Sequence, residues 1–247
     1  MNSDFDRIAN HIDKFCYPIY ARDMKYDEYE LFGSCVAVSV GGDKRICTAN
    51  HVIDELKKSG KQAVIGGNSG FETLDISTRK SLTVAGVDTD ICLVESTNNN
   101  NNNNIQYISH RSFYQTDKFF GTSFQYLQGY PLTKNKFKDL HKGAVLTAGR
   151  IGVGMMVDQQ ISYPREDKNT DYHYFFKYDG GVYEKAGQEP QEINSQSAPQ
   201  LKGLSGCGVW NVYNIKDLTS IKLMGIFIEL EHRIGVATKT RKLHGIK

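Results

Sequence analysis

The sequence predicts an all-β protein built as two β domains, and three observations predict it. Short apolar runs recur along almost the whole chain, turn residues led by 23 glycines divide them, and helical periodicity is confined to two brief stretches. Many short strands separated by turn signals point to barrels or sandwiches rather than to a helix-covered parallel sheet. With 247 residues, 39% of them hydrophobic, the chain is long enough to bury a sizeable core.

The elements follow in order. Ser3 can cap a short helix in which Phe5, Ile8, Ile12 and Phe15 recur at helical spacing and which stops before Pro18, so residues 1–22 read as a helical arm packed on the body. From Phe32 the pattern becomes strand-like: SCVAVSV (34–40), KRICTAN (44–50), QAVIGG (62–67), SLTVAGV (81–87) and ICLVES (91–96). The first two flank Gly41-Gly42-Asp43, a hairpin signal. Only HVIDELKKSG (51–60) reads as a helical turn between strands. These runs make residues 23–108 the first β domain. Seven asparagines, 98–104, offer nothing apolar to bury and read as a linker or loop near its end. TSFQYLQGYP (122–131), AVLTAGRIGVGMMV (144–157), YHYFFKY (172–178), GCGVWNVY (206–213), KLMGIFIEL (222–230) and IGVATK (234–239) then make 109–247 a second β domain with a C-terminal tail.

Composition excludes several functions. A formal charge of +2 is too close to balance for an electrostatic nucleic-acid footprint, and the basic run Lys134 to Lys142 reads as a solvated loop, so no nucleic-acid partner is expected. The five cysteines are odd in number and unpaired in spacing, which argues against a disulfide framework. The opening residues lack the basic start and apolar core of a secretory signal, and no apolar stretch reaches membrane-spanning length; a cytoplasmic location without membrane contact is expected.

Three segments carry the parts that acyl transfer to water requires: a nucleophile, an oriented base and donors for the oxyanion. In Thr48-Ala49-Asn50-His51-Val52 a histidine stands where a strand ends and a helix begins. In Thr89-Asp90-Ile91-Cys92-Leu93 a carboxylate stands at the mouth of an apolar strand, with Asp88 as its competitor. In Gly203-Leu204-Ser205-Gly206-Cys207-Gly208 a serine sits in a glycine-dense turn before the strand bearing Trp210. The glycines let backbone N–H groups turn toward one point, so Gly203 and Ser205 are the expected oxyanion donors. Each residue has a plainer reading: His51 as a helix-start residue, Asp90 as a turn end, Ser205 as a turn hydroxyl, with Cys207 a second nucleophile on paper. The other six histidines show no metal-ligand spacing, and neither metal nor organic cofactor is expected.

At these residues the chain resembles the trypsin-like serine peptidases, most closely the bacterial Deg-type heat-shock proteases. FGSCVAVSVGGDKRICTANHVID resembles the strand-hairpin-strand and "TAAHV" segment of that family, TDICLVE its "DIALL" segment and GLSGCGVW its "GxSGGPV" segment. LMGIFIE resembles the substrate-pairing strand, and IGVATK the pocket-wall "GFAIP" segment. The resemblance runs in family order from Phe32 to about Lys239. It implies two six-stranded antiparallel β-barrels of the chymotrypsin fold with a His51, Asp90 and Ser205 triad between them. It also implies a serine endopeptidase that acts on a polypeptide through an acyl-enzyme.

Substrate is then expected along Ile226, Ile228 and Glu229, with Pro199 at the pocket base and Gly235 in its wall. Pro199 stands where trypsins carry an acid, which removes the basis for a Lys or Arg preference. Leu204 replaces the aspartate that pairs with a new N-terminus in secreted trypsins, so that activation route is closed. The long polar loop Gln188 to Leu204 is the expected regulated element, and an activating protein partner is a possibility it leaves open. Two other readings share the scaffold: a catalytically silent module that binds a peptide or partner in the same groove, and a serine esterase.

Overall fold

The computed structural model describes residues 4–67, 70–84, 86–97, 105–116, 123–132, 150–155, 157–158, 160–161, 163, 165, 167–178, 180–184, 191–194 and 202–245. The asparagine run, the basic run 134–142, Ser3, Pro199 and most of the loop 188–204 lie outside the described residues.

Helix α1 (Asp4–Ile12) turns Ile8, Ala9 and Ile12 inward, with Asp4 and Asp6 in the first turn where a helix favours acids. It is shorter than the expected arm: the chain leaves the helix and enters strand β1 (Cys16–Asp23), so residues 16–22 of the expected arm belong to the first barrel. Pro18 ends helical periodicity but not strand structure. Pro18 pairs with Ser34 of β2, but its other neighbour β4 pairs only from Ile19 onward, so on that edge no strand calls for the N–H that proline lacks.

The first barrel contains β1, β2 (Glu28–Val40), β3 (Asp43–Ala49), β4 (Gln62–Gly67), β5 (Gly70–Val84) and β6 (Val87–Ser96), with helix α2 (Asn50–Ser59) between β3 and β4. Their order is β1-β4-β5-β6-β3-β2, and β1 pairs β2 as well, which closes a ring of antiparallel strands. A short β7 (Ile108–Ser109) adds in parallel outside β2. Gly41 and Gly42, both at positive φ, make the two-residue turn between Val40 and Asp43. Helix α2 stops at Gly60, a left-handed cap whose N–H donates to the Lys57 carbonyl.

The second sheet contains β8 (Phe124–Gly129), β9 (Arg150–Met155), β10 (His173–Lys177), β11 (Gly180–Glu184), β12 (Gln191–Asn194), β13 (Gly208–Val212), β14 (Ile221–Glu231) and β15 (Ile234–Lys239), in the order β10-β15-β14-β13-β8-β9-β11-β12. Just past β9, a bridge from Val157 to Phe176 and a hydrogen bond from the Asp158 N–H to the Phe175 carbonyl (2.9 Å) bring that strand back to β10. Six strands thus form the second barrel, and β11 with β12 adds a hairpin the sequence did not announce.

One buried serine stitches the barrels together. The Ser34 N–H donates to the Ser205 carbonyl (2.9 Å), its hydroxyl to the Gly203 carbonyl (2.9 Å), and that same oxygen accepts from the Tyr130 N–H (3.0 Å). Trp210, fully buried, packs with Phe15 and joins the first core across the seam. Asp13 closes the far end, accepting from Gln128 and Tyr130 of the second sheet.

Candidate active site

His51 is the second residue of α2, so the strand-to-helix turn after β3 throws its imidazole outward at a rigid edge. Strand β6 pairs β3 with Ile91 opposite Ala49, which brings Asp90 beside it. The Asp90 carboxylate grips the histidine twice: Oδ2 lies 2.7 Å from Nδ1, and Oδ1 accepts from the backbone N–H at 3.2 Å. A carboxylate on Nδ1 places the neutral ring's proton there and leaves Nε2 as the basic nitrogen. Asp88, the competing acid, turns instead to the Asp90 N–H (2.9 Å) and to the amide of Asn50 (3.3 Å). Asp90 has φ of 53°, in a left-handed region that costs an L residue about 1–2 kcal/mol and that Asp and Asn tolerate best.

The electrostatics of His51 are contested locally. Burial works against the imidazolium, but the Asp90 hydrogen bond and charge, helped by Glu55 and Glu229, outweigh it and hold the ring above its ordinary pKa.

Ser205 lies in the turn before β13, between Gly203 at φ 96° and Gly206 at φ 91°. The Gly206 N–H donates to the Phe227 carbonyl (2.7 Å) and the Cys207 N–H to the Leu204 carbonyl (2.9 Å), which tightens the turn. Among the described residues the N–H groups of Gly203 and Ser205 have no acceptor. The Ser205 hydroxyl donates to the Ile228 carbonyl at 3.2 Å and makes no bond to His51. Cys207 is fully buried, and burial pushes its thiol well above the ordinary range, which leaves it a core residue rather than a nucleophile. The other four cysteines are likewise buried and free.

His51, Asp90 and Ser205 line one cleft of about 820 Å³, together with Ile228, Glu229 and Leu230 of β14. β13 pairs β14 only as far as Ile226, so from Ile228 to Glu231 the cleft-side edge of β14 carries no strand among the described residues. The expected binding residues divide here. Glu229 faces the cleft and Ile228 borders it through its carbonyl, but the Ile228 side chain is fully buried in the same core as Ile226, which is paired with Gly208 and Thr238, and Gly235 packs its Cα face on Phe176. The register shift between Phe227 and Glu229 explains the split, because a bulge re-aims the residues beyond it.

Sequence reasoning missed the charges that hold Glu229. Tyr163 donates to Glu229 or Glu231 at 3.2 Å each, and Arg165 pairs with Glu229 (2.8 Å) while chelating Asp167. Arg165 therefore pairs the Glu229 charge within the chain, and Tyr163 shares its one proton between Glu229 and Glu231. No signal in the polar, aperiodic 158–172 stretch points to this; only the contact across sixty-six positions from Tyr163 does. Among the described residues no cluster of three His, Cys, Asp or Glu side chains is arranged to hold a metal ion, and no helix is long and apolar enough to cross a membrane.

No protein-family model and no curated protein matches the chain. Among solved structures it is similar to the serine endoprotease from Yersinia pestis, at 16% identity over 97% of this chain with a TM-score of 0.50. It is also similar to a protease from M. tuberculosis in its active form, at 12% identity over 96% of this chain with a TM-score of 0.46. The chain spans 64% of the Yersinia protein's length and 81% of the mycobacterial one. The first likeness shows the fold: the two closed sheets are the double β-barrel of trypsin-like serine peptidases.

Proposed function

We propose that this chain is a serine endopeptidase whose catalytic groups are Ser205, His51 and Asp90. The observation that carries the reading is the carboxylate-oriented imidazole of His51 opening on the same inter-barrel cleft as Ser205. In the reaction the Ser205 hydroxyl turns from the Ile228 carbonyl toward His51 Nε2, gives up its proton as it attacks the peptide carbonyl, and forms a tetrahedral adduct. The oxyanion is met by the Gly203 and Ser205 N–H groups, neither of which has a competing acceptor among the described residues. His51 then hands the proton to the leaving amine, and water resolves the acyl-enzyme by the same steps. The polypeptide lies extended on the open edge of β14, where the Ile228 carbonyl freed by the serine becomes an acceptor for a substrate N–H.

A catalytically silent module is favoured by one observation, the serine hydroxyl bonded to Ile228 rather than to His51. Loose catalytic hydrogen bonds are common before substrate binds, so the peptidase reading is preferred. A fluorophosphonate probe decides: the native chain is expected to form an adduct at Ser205, mapped by mass spectrometry and lost in Ser205→Ala. A native chain left unmodified after prolonged exposure sinks the enzyme.

The pH profile follows from the histidine. Protonated His51 cannot accept the serine proton, and burial of the ring is outweighed by Asp90, Glu55 and Glu229, which together raise it above its ordinary pKa, so kcat/KM falls as pH drops through a midpoint above that of a free imidazole. Glu229→Gln and Glu55→Gln each remove an acid that favours the imidazolium and shift the midpoint down. A native midpoint at or below the ordinary imidazole value contradicts this account of the site's charges.

A further inference from the structure

We propose that the peptide group joining Thr89 to Asp90 is clamped between the two barrels, and that Thr238 and Asp88 are positioning residues that aim the Asp90 carboxylate at His51. The proposal rests on the peptidase reading for its catalytic consequence, though not for its geometry.

Thr238 of β15 donates its hydroxyl to the Thr89 carbonyl at 2.5 Å. At the other end of the same planar group, the Asp90 N–H donates to Asp88 Oδ1 at 2.9 Å. A trans peptide is rigid, so one hydrogen bond at its C=O and another at its N–H fix the orientation of the plane. That orientation sets φ of Asp90, held at 53°, and with it the direction in which the side chain leaves the backbone.

Both ends are themselves anchored. The Thr89 hydroxyl donates to the Leu82 carbonyl of β5 (2.8 Å). Asp88 Oδ1 also accepts from the Asn50 amide (3.3 Å), whose oxygen takes the Ser81 hydroxyl (2.8 Å). Asn50 immediately precedes His51, so one network ties acid and base to the same strands. Thr238 and Thr89 are fully buried, where an unpaired carbonyl or hydroxyl is costly, and a valine in place of Thr238 leaves the Thr89 carbonyl without that donor.

The two ends of the clamp belong to different barrels. Thr238 pairs in register with Ile226 on β14, two residues before the Ile228 carbonyl that holds the Ser205 hydroxyl. Asp90 and His51 belong to the first barrel. The clamp therefore registers the acid against the strand that borders the nucleophile, and a slip between the barrels is felt first at φ of Asp90.

The test is an NMR titration of the His51 ring, which needs no turnover. The charges facing His51 are Asp90 from β6, Glu55 from α2 and Glu229 from β14, and Asp88, Arg165, Asp167, Lys168 and Lys202 share the cleft. Thr238→Val alters none of them. It is expected to lower the His51 midpoint and abolish the downfield Nδ1 proton of the Asp90 bond, with a roughly hundredfold slower fluorophosphonate reaction. Thr238→Ser is expected to restore all three. Asp88→Ala, at the exposed end of the clamp, should act like Thr238→Val even if that buried variant folds poorly, whereas Asp88→Asn keeps an acceptor and should keep the Nδ1 proton. A wild-type midpoint and Nδ1 signal in folded Thr238→Val, or in Asp88→Ala, overturns the proposal. Failure of the native chain to react with the probe instead removes the peptidase reading and leaves the titration to decide the clamp.

Discussion

Replacing His51 by alanine is expected to lower kcat/KM by about four to six orders of magnitude, and replacing Ser205 as well should cost almost nothing more. In the proposed mechanism the two side chains perform one act. The serine hydroxyl attacks only as its proton leaves, and among the groups lining the cleft only His51 combines a basic nitrogen near neutrality with an orienting carboxylate at 2.7 Å. Without the base, the hydroxyl stays on the Ile228 carbonyl, where it already donates at 3.2 Å. Without the serine, the base has nothing to deprotonate but water. What survives either loss is the contribution of the backbone donors and of substrate held on β14, so singles and double should converge on one residual rate. Peptide hydrolysis measured on the two single variants and the double settles it. Losses that multiply instead of converging would mean that the residues act in separate steps, and the triad would have to be abandoned.

The three residues of the proposed triad were legible because each sits beside a local signal that survives without the fold: a strand-to-helix junction at His51, a strand mouth at Asp90, a glycine-dense turn at Ser205. The barrel strands were legible for a similar reason, since apolar runs bounded by Gly and Asn announce themselves. β1 was not, because CYPIYARD follows a helix and carries Pro18, and a proline read in isolation looks like a boundary. The first two thirds of β5, before the run at 81–87, escaped for the opposite reason. Its FETLDISTRKS stretch mixes charges into a strand that is half exposed and twice shifts register against β6, so neither alternation nor an apolar run shows. The cleft's walls were read least well. Ile226 and Ile228 share a face by simple alternation, and both side chains go to the core; what β14 gives the cleft is the Ile228 carbonyl and the Glu229 side chain beyond the bulge. The partners of Glu229 and the clamp on Asp90 depend on loops and strands meeting over long sequence separations, which no local pattern encodes.

Gly206→Ala is expected to be the most destabilising small substitution near the site, by at least about 4 kcal/mol in urea unfolding. A Cβ there would lie 2.0 Å from the Ser34 carbonyl oxygen and 2.1 Å from the Thr48 hydroxyl, at φ of 91°. Those two atoms are hydrogen-bonded to one another at 2.8 Å, so the methyl group would land inside an existing bond. Neither neighbour can yield: Ser34 belongs to β2, which is paired with β1, and Thr48 to β3, which is paired with β6. The turn would have to back away, breaking the Gly206 bond to Phe227 and the Ser205 bond to Ser34 that stitches the barrels. Gly42→Ala provides the comparison, because Gly42 has an equally positive φ of 95° but nothing within 4 Å of its Cβ position, and should cost only about 1–2 kcal/mol of backbone strain. The difference between the two variants isolates the steric term from the conformational one. If they unfold at the same denaturant concentration, the seam at Ser34 is looser than its distances imply, and the turn carrying Ser205 is not held by the first barrel.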